Sequence, residues 1–344
     1  MTNRGPIRLL TAVPICDGHD SPINTINLEL IRHGIEVIYL GYHRSARDIV
    51  RAAIQEDVRA IGLSSYNGGH VEFFTEVVKL LKKQRAGHIG VFGGGGGTIT
   101  PEDARIMQRK GVDRIFFAGT SLSEMIAFVK SRYRKPVSVR WKPTGKSSGP
   151  VIGITGPGGA GKTTLIDELV LRVLKANPKA KVAILSHDPS IIGKGALLGD
   201  RATMIYSQDD RVFMHSLATR GRAGGLAGET KRWLTQLKHG GFDVIFVETV
   251  GIGQEAMPFA NGLVDKTVLV MSPEYGARLQ LQKIAMLDLA DIVVINKSDM
   301  AGAKTASAEV EQRIAMNKRK QKLLTTCAKR HRDAGVDELF GMLK

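Results

Sequence analysis

Cysteine is almost missing from this chain: its 344 residues contain two, Cys16 and Cys327. They lie far apart and without metal-ligand spacing. This excludes a disulfide framework and a zinc ribbon, and makes a reducing cytoplasm the expected compartment. Uninterrupted apolar runs are short, none approaching the ~18 residues of a spanning helix, so no membrane segment is expected. The start, Met1-Thr-Asn-Arg-Gly-Pro, leads straight into a strand-like run, and no signal peptide is expected. Aromatic residues make up only 6% of the chain. Acidic residues are also scarce: 33 Asp and Glu face 49 Lys and Arg, a net charge of +16. Two stretches have no acid at all, Lys130 to Lys146 with seven basic residues and Arg313 to Arg332 with eight. Neither interleaves aromatics in a stacking pattern, and no helix-turn-helix or finger spacing accompanies them. They read as a solvated linker and a solvated helix, with docking to an acidic protein or a nucleotide as the other reading; nucleic acid is not an expected partner.

Glycine is plentiful, and one glycine-rich stretch organises the chain. Gly156-Pro157-Gly158-Gly159-Ala160-Gly161-Lys162-Thr163, followed by Thr164, fits the phosphate-binding pattern G-x-x-x-x-G-K-[ST]. The apolar run Val151 to Ile154 precedes it as a buried strand. Ile166, Leu169, Val170 and Val173 follow at the spacing of one helix face. The glycines let backbone N–H groups approach phosphate oxygens, and the helix N-terminus turns its dipole toward the same anion. Lys162 is expected to reach the β- and γ-phosphates, and the Thr163 hydroxyl to ligate Mg²⁺.

The length suggests two domains. Residues 1–134 alternate strands and helices: strands at 7–14, 36–41, 60–64, 88–92 and 114–118, with helices between them and a last one at 121–133. Such alternation implies a parallel sheet covered on both faces, here of the flavodoxin-like, Rossmann-type α/β class. Residues 135–149 have the Pro, Ser, Gly and Lys content of a linker. Residues 150–344 alternate again, with strands at 151–154, 181–186, 242–247, 266–271 and 291–295, as a P-loop NTPase domain.

Further segments of the second domain support the loop. Asp243 to Val247 is an apolar strand running into Glu248, where a nucleotide–Mg²⁺ site needs a carboxylate, and the Gly251 N–H could contact a γ-phosphate. Asn296-Lys297-Ser298-Asp299 follows a later strand, where Asp299 can accept hydrogen bonds from guanine N1–H and its 2-amino group, a pair adenine does not offer. Cys327 and Ala328, after Thr326, fall where a guanine O6 loop belongs. Asp188 and Asp200 are candidate metal or water-positioning carboxylates, although turn-forming Asp is as good a reading of either alone.

These motifs resemble those of metallochaperone GTPases of the SIMIBI class, in which Glu stands in the third motif, here Glu248-Thr-Val-Gly. Asp188-Pro-Ser, Leu198-Gly-Asp200 and Glu248 to Gln254 resemble the G-proteins serving adenosylcobalamin-dependent acyl-CoA mutases. Ile191 after Asp188-Pro-Ser190 departs from that family's doubled serine. The resemblance implies slow GTP hydrolysis to GDP, gated by a partner, with Lys162, Asp188, Asp200 and Glu248 catalytic and Thr163, Asp188, Asp200 and Glu248 arranging Mg²⁺.

In the first domain Asp17-Gly-His19-Asp20 follows the first strand, Ser64-Ser65-Tyr66 the third and Gly93 to Gly97 the fourth. A lone loop histidine is commonly just solvated, but small residues at three strand ends leave room for a large ligand. Together they resemble the D-x-H-x-x-G … S-x-L … G-G signature of base-off, His-on cobalamin domains, with Pro22 and Tyr66 as departures. The resemblance implies His19 as the lower axial ligand of cobalt, Asp17 as its hydrogen-bond partner, and Ser64, Gly93 and Gly94 beside the cofactor's nucleotide tail.

The whole chain is similar to the front part of fused isobutyryl-CoA mutases: a cobalamin domain, a linker and a G-protein. No length remains for the ~250 residues of a substrate-binding barrel. The expected partner is therefore a separate large substrate-binding subunit, with a truncated chain as the alternative. An adenosyltransferase donor and a homo-oligomer are also implied. A corrinoid carrier for methyl transfer with a reactivating GTPase is the competing reading.

Overall fold

The computed structural model of the chain describes residues 5–15, 17–18, 21–135, 145–190, 193–251, 257–259, 262–275 and 284–344. His19, Asp20, Ile191 and Gln254, together with most of the basic linker, lie outside these. The chain divides into two compact units, Met1–Trp141 with Ser190–Ala202, and Lys142–Pro189 with Thr203–Lys344.

The first unit is a parallel sheet of β1 (Arg8–Ala12), β2 (Glu36–Tyr39), β3 (Ala60–Ser64), β4 (Gly90–Gly94) and β5 (Arg114–Phe116), in the order β5-β4-β3-β1-β2. This is the flavodoxin-like order, with its switch point between β1 and β3. Five helices connect and cover the strands: α1 (Ser21–Arg32), α2 (Ala46–Gln55), α3 (His70–Lys83), α4 (Pro101–Lys110) and α5 (Leu122–Arg132). Their starts are written in the sequence. Ser45 and Ser121 accept from the backbone N–H three residues on. Thr100 and Asp103 form a reciprocal capping box with Pro101 as first helical residue. One face of the sheet buries Leu9, Val37, Ala60, Phe92 and Phe116 against Leu30 of α1 and Ile126 and Val129 of α5.

The motif order alone assigns Ser190–Ala202 to the second half of the chain, yet this segment completes the first unit. Its strand β8 (Ala196–Leu198) runs parallel to β2, pairing Val37 with Leu197. Arg201, in the short helix α7 (Asp200–Thr203), donates from Nε to Glu56 Oε1 at 3.0 Å and from Nη2 to Gln55 Oε1 at 2.9 Å. The second Glu56 oxygen accepts from Arg8 at 3.1 Å, and Arg8 also reaches Glu36 at 2.9 Å. Burial lowers the Arg201 pKa, opposed by the Glu56 charge; the guanidinium stays ionised because its carboxylate is buried with it.

The second unit holds β6 (Val151–Thr155), β7 (Val182–Asp188), β9 (Val212–Ala218), β10 (Val244–Glu248), β11 (Lys266–Met271), β12 (Ile292–Ile295) and β13 (Lys322–Thr325). All pair in parallel in the order β13-β12-β11-β6-β10-β7-β9. The edge strands β9 and β13 go beyond the strands read from the sequence. Helix α6 (Lys162–Ala176) buries Leu165, Ile166, Leu169 and Val170 completely in the main core. Helices α8 (Thr230–Leu237), α9 (Ala303–Ala315) and α10 (Ala334–Leu343) complete the layers among the described residues.

Candidate functional site

In the second unit the C-terminal ends of β6, β10 and β7 bring the sequence-derived residues to one edge of the sheet. The loop Gly156 to Gly161 leads from β6 into α6, with Gly159 and Gly161 in the left-handed region at φ 75° and 86°. A β-carbon on Gly161 would also stand 2.4 Å from Asn296 Nδ2, so only glycine fits there. Lys162 is buried and donates to the carbonyls of Gly156 and Pro157 at 3.1 Å each, spanning the loop it would serve. Thr163 Oγ1 donates to Glu248 Oε1 at 2.7 Å, joining the first helical turn to the end of β10. Asp188 ends β7, two strands from β6, and both it and Glu248 are buried. Gly251 lies against Gly158, where a β-carbon would come within 2.7 Å of the Gly158 Cα.

Asn296 ties the base-reading loops to the phosphate loop. Its Nδ2 donates to the Ala160 carbonyl at 2.9 Å, while its Oδ1 accepts from Thr326 Oγ1 at 3.0 Å and from the Ala328 N–H at 3.1 Å. Gly161, Thr164, Lys297, Asp299, Cys327 and Ala328 are among the residues lining a cavity of about 190 Å³. The Asp299 carboxylate accepts from Lys329 Nζ and, at 3.1 Å, from Cys327 Sγ. Those bonds, Lys329 first, hold its pKa down to about 2. Lys329 escaped the sequence reading, although it sits one residue beyond the motif that was read there.

His187, in the middle of an otherwise apolar strand, was also missed. Its Nδ1 lies 2.7 Å from the Glu248 carbonyl oxygen and its Nε2 2.7 Å from Thr230 Oγ1. Burial pushes its pKa down to about 4.

Among the described residues no three His, Cys, Asp or Glu side chains gather into a metal cage. Mg²⁺ needs no such cage, since it is held by one or two side chains with waters and substrate phosphates. Thr163, Glu248 and Asp188 supply hard oxygen donors of the kind it takes. Asp200 opens α7 in the first unit.

In the first unit Asp17 is fully buried, and its Oδ2 accepts from the Tyr66 N–H and, at 3.2 Å, from the Asn67 N–H. The carboxylate thus ties the loop after β1 to the loop after β3. Beneath these loops is a cavity of about 210 Å³, walled by α1, α5 and the strand faces, with Ile23, Leu30, Phe92 and Val129 in its lining. Ser64, Gly93 and Gly94 all line it. A β-carbon on Gly93 would meet the Leu63 carbonyl at 2.2 Å, and one on Gly94 the Phe116 carbonyl at 2.6 Å. These glycines therefore serve the close approach of neighbouring strands as well as the cavity. The cavity suits the nucleotide tail of a cobamide: it is mostly apolar and bears a buried hydroxyl, Thr11 Oγ1, with no hydrogen-bond partner.

Among the described residues no helix is long and apolar enough to cross a membrane. Residues 7–127 match the B12 binding domain, and residues 135–344 match the family described as methylmalonyl Co-A mutase-associated GTPase MeaB. Among curated proteins, the chain is 37% identical to fused isobutyryl-CoA mutase of Cupriavidus metallidurans, over 98% of its own length and 36% of that protein. It is 36% identical to the protein of the same name from Geobacillus kaustophilus, over 97% of itself and 36% of that chain. It thus spans about a third of the relatives it matches. With a B12 binding domain ahead of a GTPase domain in a single chain, the protein belongs to the MeaB family of mutase-associated GTPases.

Proposed function

We propose that this chain carries adenosylcobalamin for an acyl-CoA mutase of the isobutyryl or 2-hydroxyisobutyryl type and uses GTP to gate loading and release of the cofactor. The observation that carries this reading is the presence, in one chain, of a glycine-lined cavity in a B12 domain and a guanine-reading loop set in a mutase-associated GTPase domain. The relatives named as fused mutases are far longer, so isomerisation would require a large substrate-binding subunit supplied by another chain.

In the nucleotide site, Asp299 accepts the guanine N1–H and 2-amino hydrogens, and the Ala328 N–H faces O6. Lys162 exchanges the Gly156 and Pro157 carbonyls for β- and γ-phosphate oxygens. Thr163, Glu248 and Asp188 would hold Mg²⁺, which supplies charge neutralisation across the phosphates. The Gly251 N–H lies against the phosphate loop, placed to donate to the γ-phosphate. In the first unit His19 would face cobalt, Asp17 would hold the loop that carries it, and the cavity above α1 and α5 would exclude water from the tail. The cofactor when bound supplies homolysis of a carbon–cobalt bond.

The test is to load the protein with adenosylcobalamin and follow its visible spectrum during mixing with GTP, GDP or a non-hydrolysable analogue, with and without a barrel-only mutase subunit. Nucleotide-dependent transfer to or from the complex is expected. GTP turnover indifferent to cofactor and subunit, or a preference for methylcobalamin over the adenosyl form, overturns the reading.

A further inference from the structure

Thr11 sits in the middle of β1, opposite Gly62 of β3, and is 2% exposed. Its Oγ1 is buried without a hydrogen-bond partner, and the residue lines the 210 Å³ cavity. A threonine at a strand position walled by Leu30 and Phe92 would be replaced by valine at no cost in shape. An unpartnered buried hydroxyl costs stability, so its presence at a cavity wall points to a ligand that completes it.

The surroundings restrict that ligand. Side chains alternate along a strand, so Thr11, its cross-strand partner Gly62, and Ser64 two residues further along β3 share one face of the sheet. Diagonal neighbours on adjacent strands stand about 7–8 Å apart, which is the length of a fused bicyclic aromatic ring. Between the two hydroxyls the floor is Gly62. A β-carbon there would meet the Phe92 ring at 3.0 Å and Thr11 Cγ2 at 3.4 Å. The floor is therefore flat, and the remaining walls are aliphatic and aromatic: Ile23, Leu30, Phe92, Phe116, Met125 and Val129. A flat apolar slot with a hydroxyl at either end fits a heteroaromatic base that offers ring nitrogen to one of them.

We propose that Thr11 is a specificity-determining residue for the lower base of the bound cobamide, its hydroxyl donating to a ring nitrogen of a benzimidazole-type base. This rests on the reading of the first unit as a cobalamin carrier. A base without ring nitrogen, such as a phenol, fills the slot but leaves the hydroxyl unsatisfied.

The experiment measures binding of three corrinoids to the full chain and to Thr11→Val, by tryptophan quenching and by the spectrum of the bound corrinoid: cobalamin, a phenolyl cobamide, and cobinamide, which has no nucleotide tail. Thr11→Val is expected to weaken cobalamin by about 3- to 10-fold, the range of a neutral hydrogen bond. It should leave phenolyl cobamide and cobinamide unchanged and raise the melting temperature of the ligand-free protein. Equal losses for all three corrinoids, or no loss for cobalamin, overturn the role of Thr11 while leaving the cobalamin reading in place. If the unsubstituted chain binds no corrinoid, both fall together. Thr11→Ser, which keeps the hydroxyl, should restore most of the discrimination between cobalamin and the phenolyl form; failure to do so also counts against the proposal.

Discussion

His187 Nδ1 stands 2.7 Å from the main-chain carbonyl of Glu248, and that distance fixes where the imidazole proton is. A carbonyl only accepts, so Nδ1 carries the hydrogen. The neutral ring then accepts at Nε2 from the Thr230 hydroxyl, 2.7 Å away. The Ala227 carbonyl, which the same hydroxyl also approaches, is satisfied by the Thr230 N–H at 3.2 Å. The network holds one neutral histidine between the metal-side strand end and the first turn of α8.

This arrangement predicts acid sensitivity. Burial lowers the His187 pKa from 6.5 to about 4. Between those values the unfolded chain binds a proton that the folded chain refuses. The stabilising contribution is complete above pH 6.5 and is lost as pH falls toward 4. The loss is roughly 3 kcal/mol. Urea unfolding of the second unit at pH 7.5 and pH 5 should show this difference, and His187→Gln should flatten it. An unchanged pH dependence in the variant would place the acid sensitivity elsewhere.

Guanine recognition should not titrate in the same range. Asp299 is held at about 2 by Lys329 and Cys327 and is ionised throughout. Asp299→Asn removes a charged acceptor facing two donors and should lower GTP affinity by about one to three orders of magnitude. GTP affinity measured by titration calorimetry between pH 5 and pH 8 should show no step from this group. Equal binding of GTP and ATP by the unsubstituted protein would refute the assignment.

Lys162→Ala and Thr163→Ala should each abolish GTP hydrolysis. Lys162 reaches only the phosphate loop, and Thr163 only Glu248, in the printed geometry of the second unit. The affinity of either variant for cobalamin should stay within about twofold, since sites with no shared partners behave additively. Loss of both properties in a folded variant would show the two sites to be energetically coupled.

Arg201→Met should destabilise the first unit by about 3 kcal/mol, because it leaves the Glu56 carboxylate, 0% exposed on its side chain, with Arg8 as its remaining guanidinium partner. Hydrogen exchange in β2 should accelerate in parallel. A further Glu56→Gln change should recover part of the loss. A single variant as stable as the parent would mean that Arg201 contributes little.

Much of both sheets was legible because local signals agreed with the global arrangement. Buried parallel strands are apolar throughout, helix starts carry Ser45, Thr100 and Ser121, and the phosphate loop needs its own glycines. What escaped was decided by long-range pairing. Ala196–Leu198 is three residues long and bounded by glycines, a signal too short to identify a strand, let alone one that pairs with β2, some 160 positions earlier. Arg201 looks like any surface arginine until Glu56 is found beside it. Thr11 and His187 are single polar residues inside apolar runs, and only the structure distinguishes a residue facing a cavity from one bridging two strand ends.

The discontinuity of the first unit bears on how the protein can be dissected. Cutting the gene in the basic stretch after Tyr133 looks like a clean way to produce the B12 domain alone. Such a fragment would lose Ser190–Ala202, baring the hydrogen-bonding edge of β2 and stripping Arg201 from Glu56. An open strand edge beside a poorly compensated interior charge is a recipe for self-association. The excised half should come out as inclusion bodies or sticky oligomers, and grafting residues 190–202 back through a glycine-rich tether should render it well behaved.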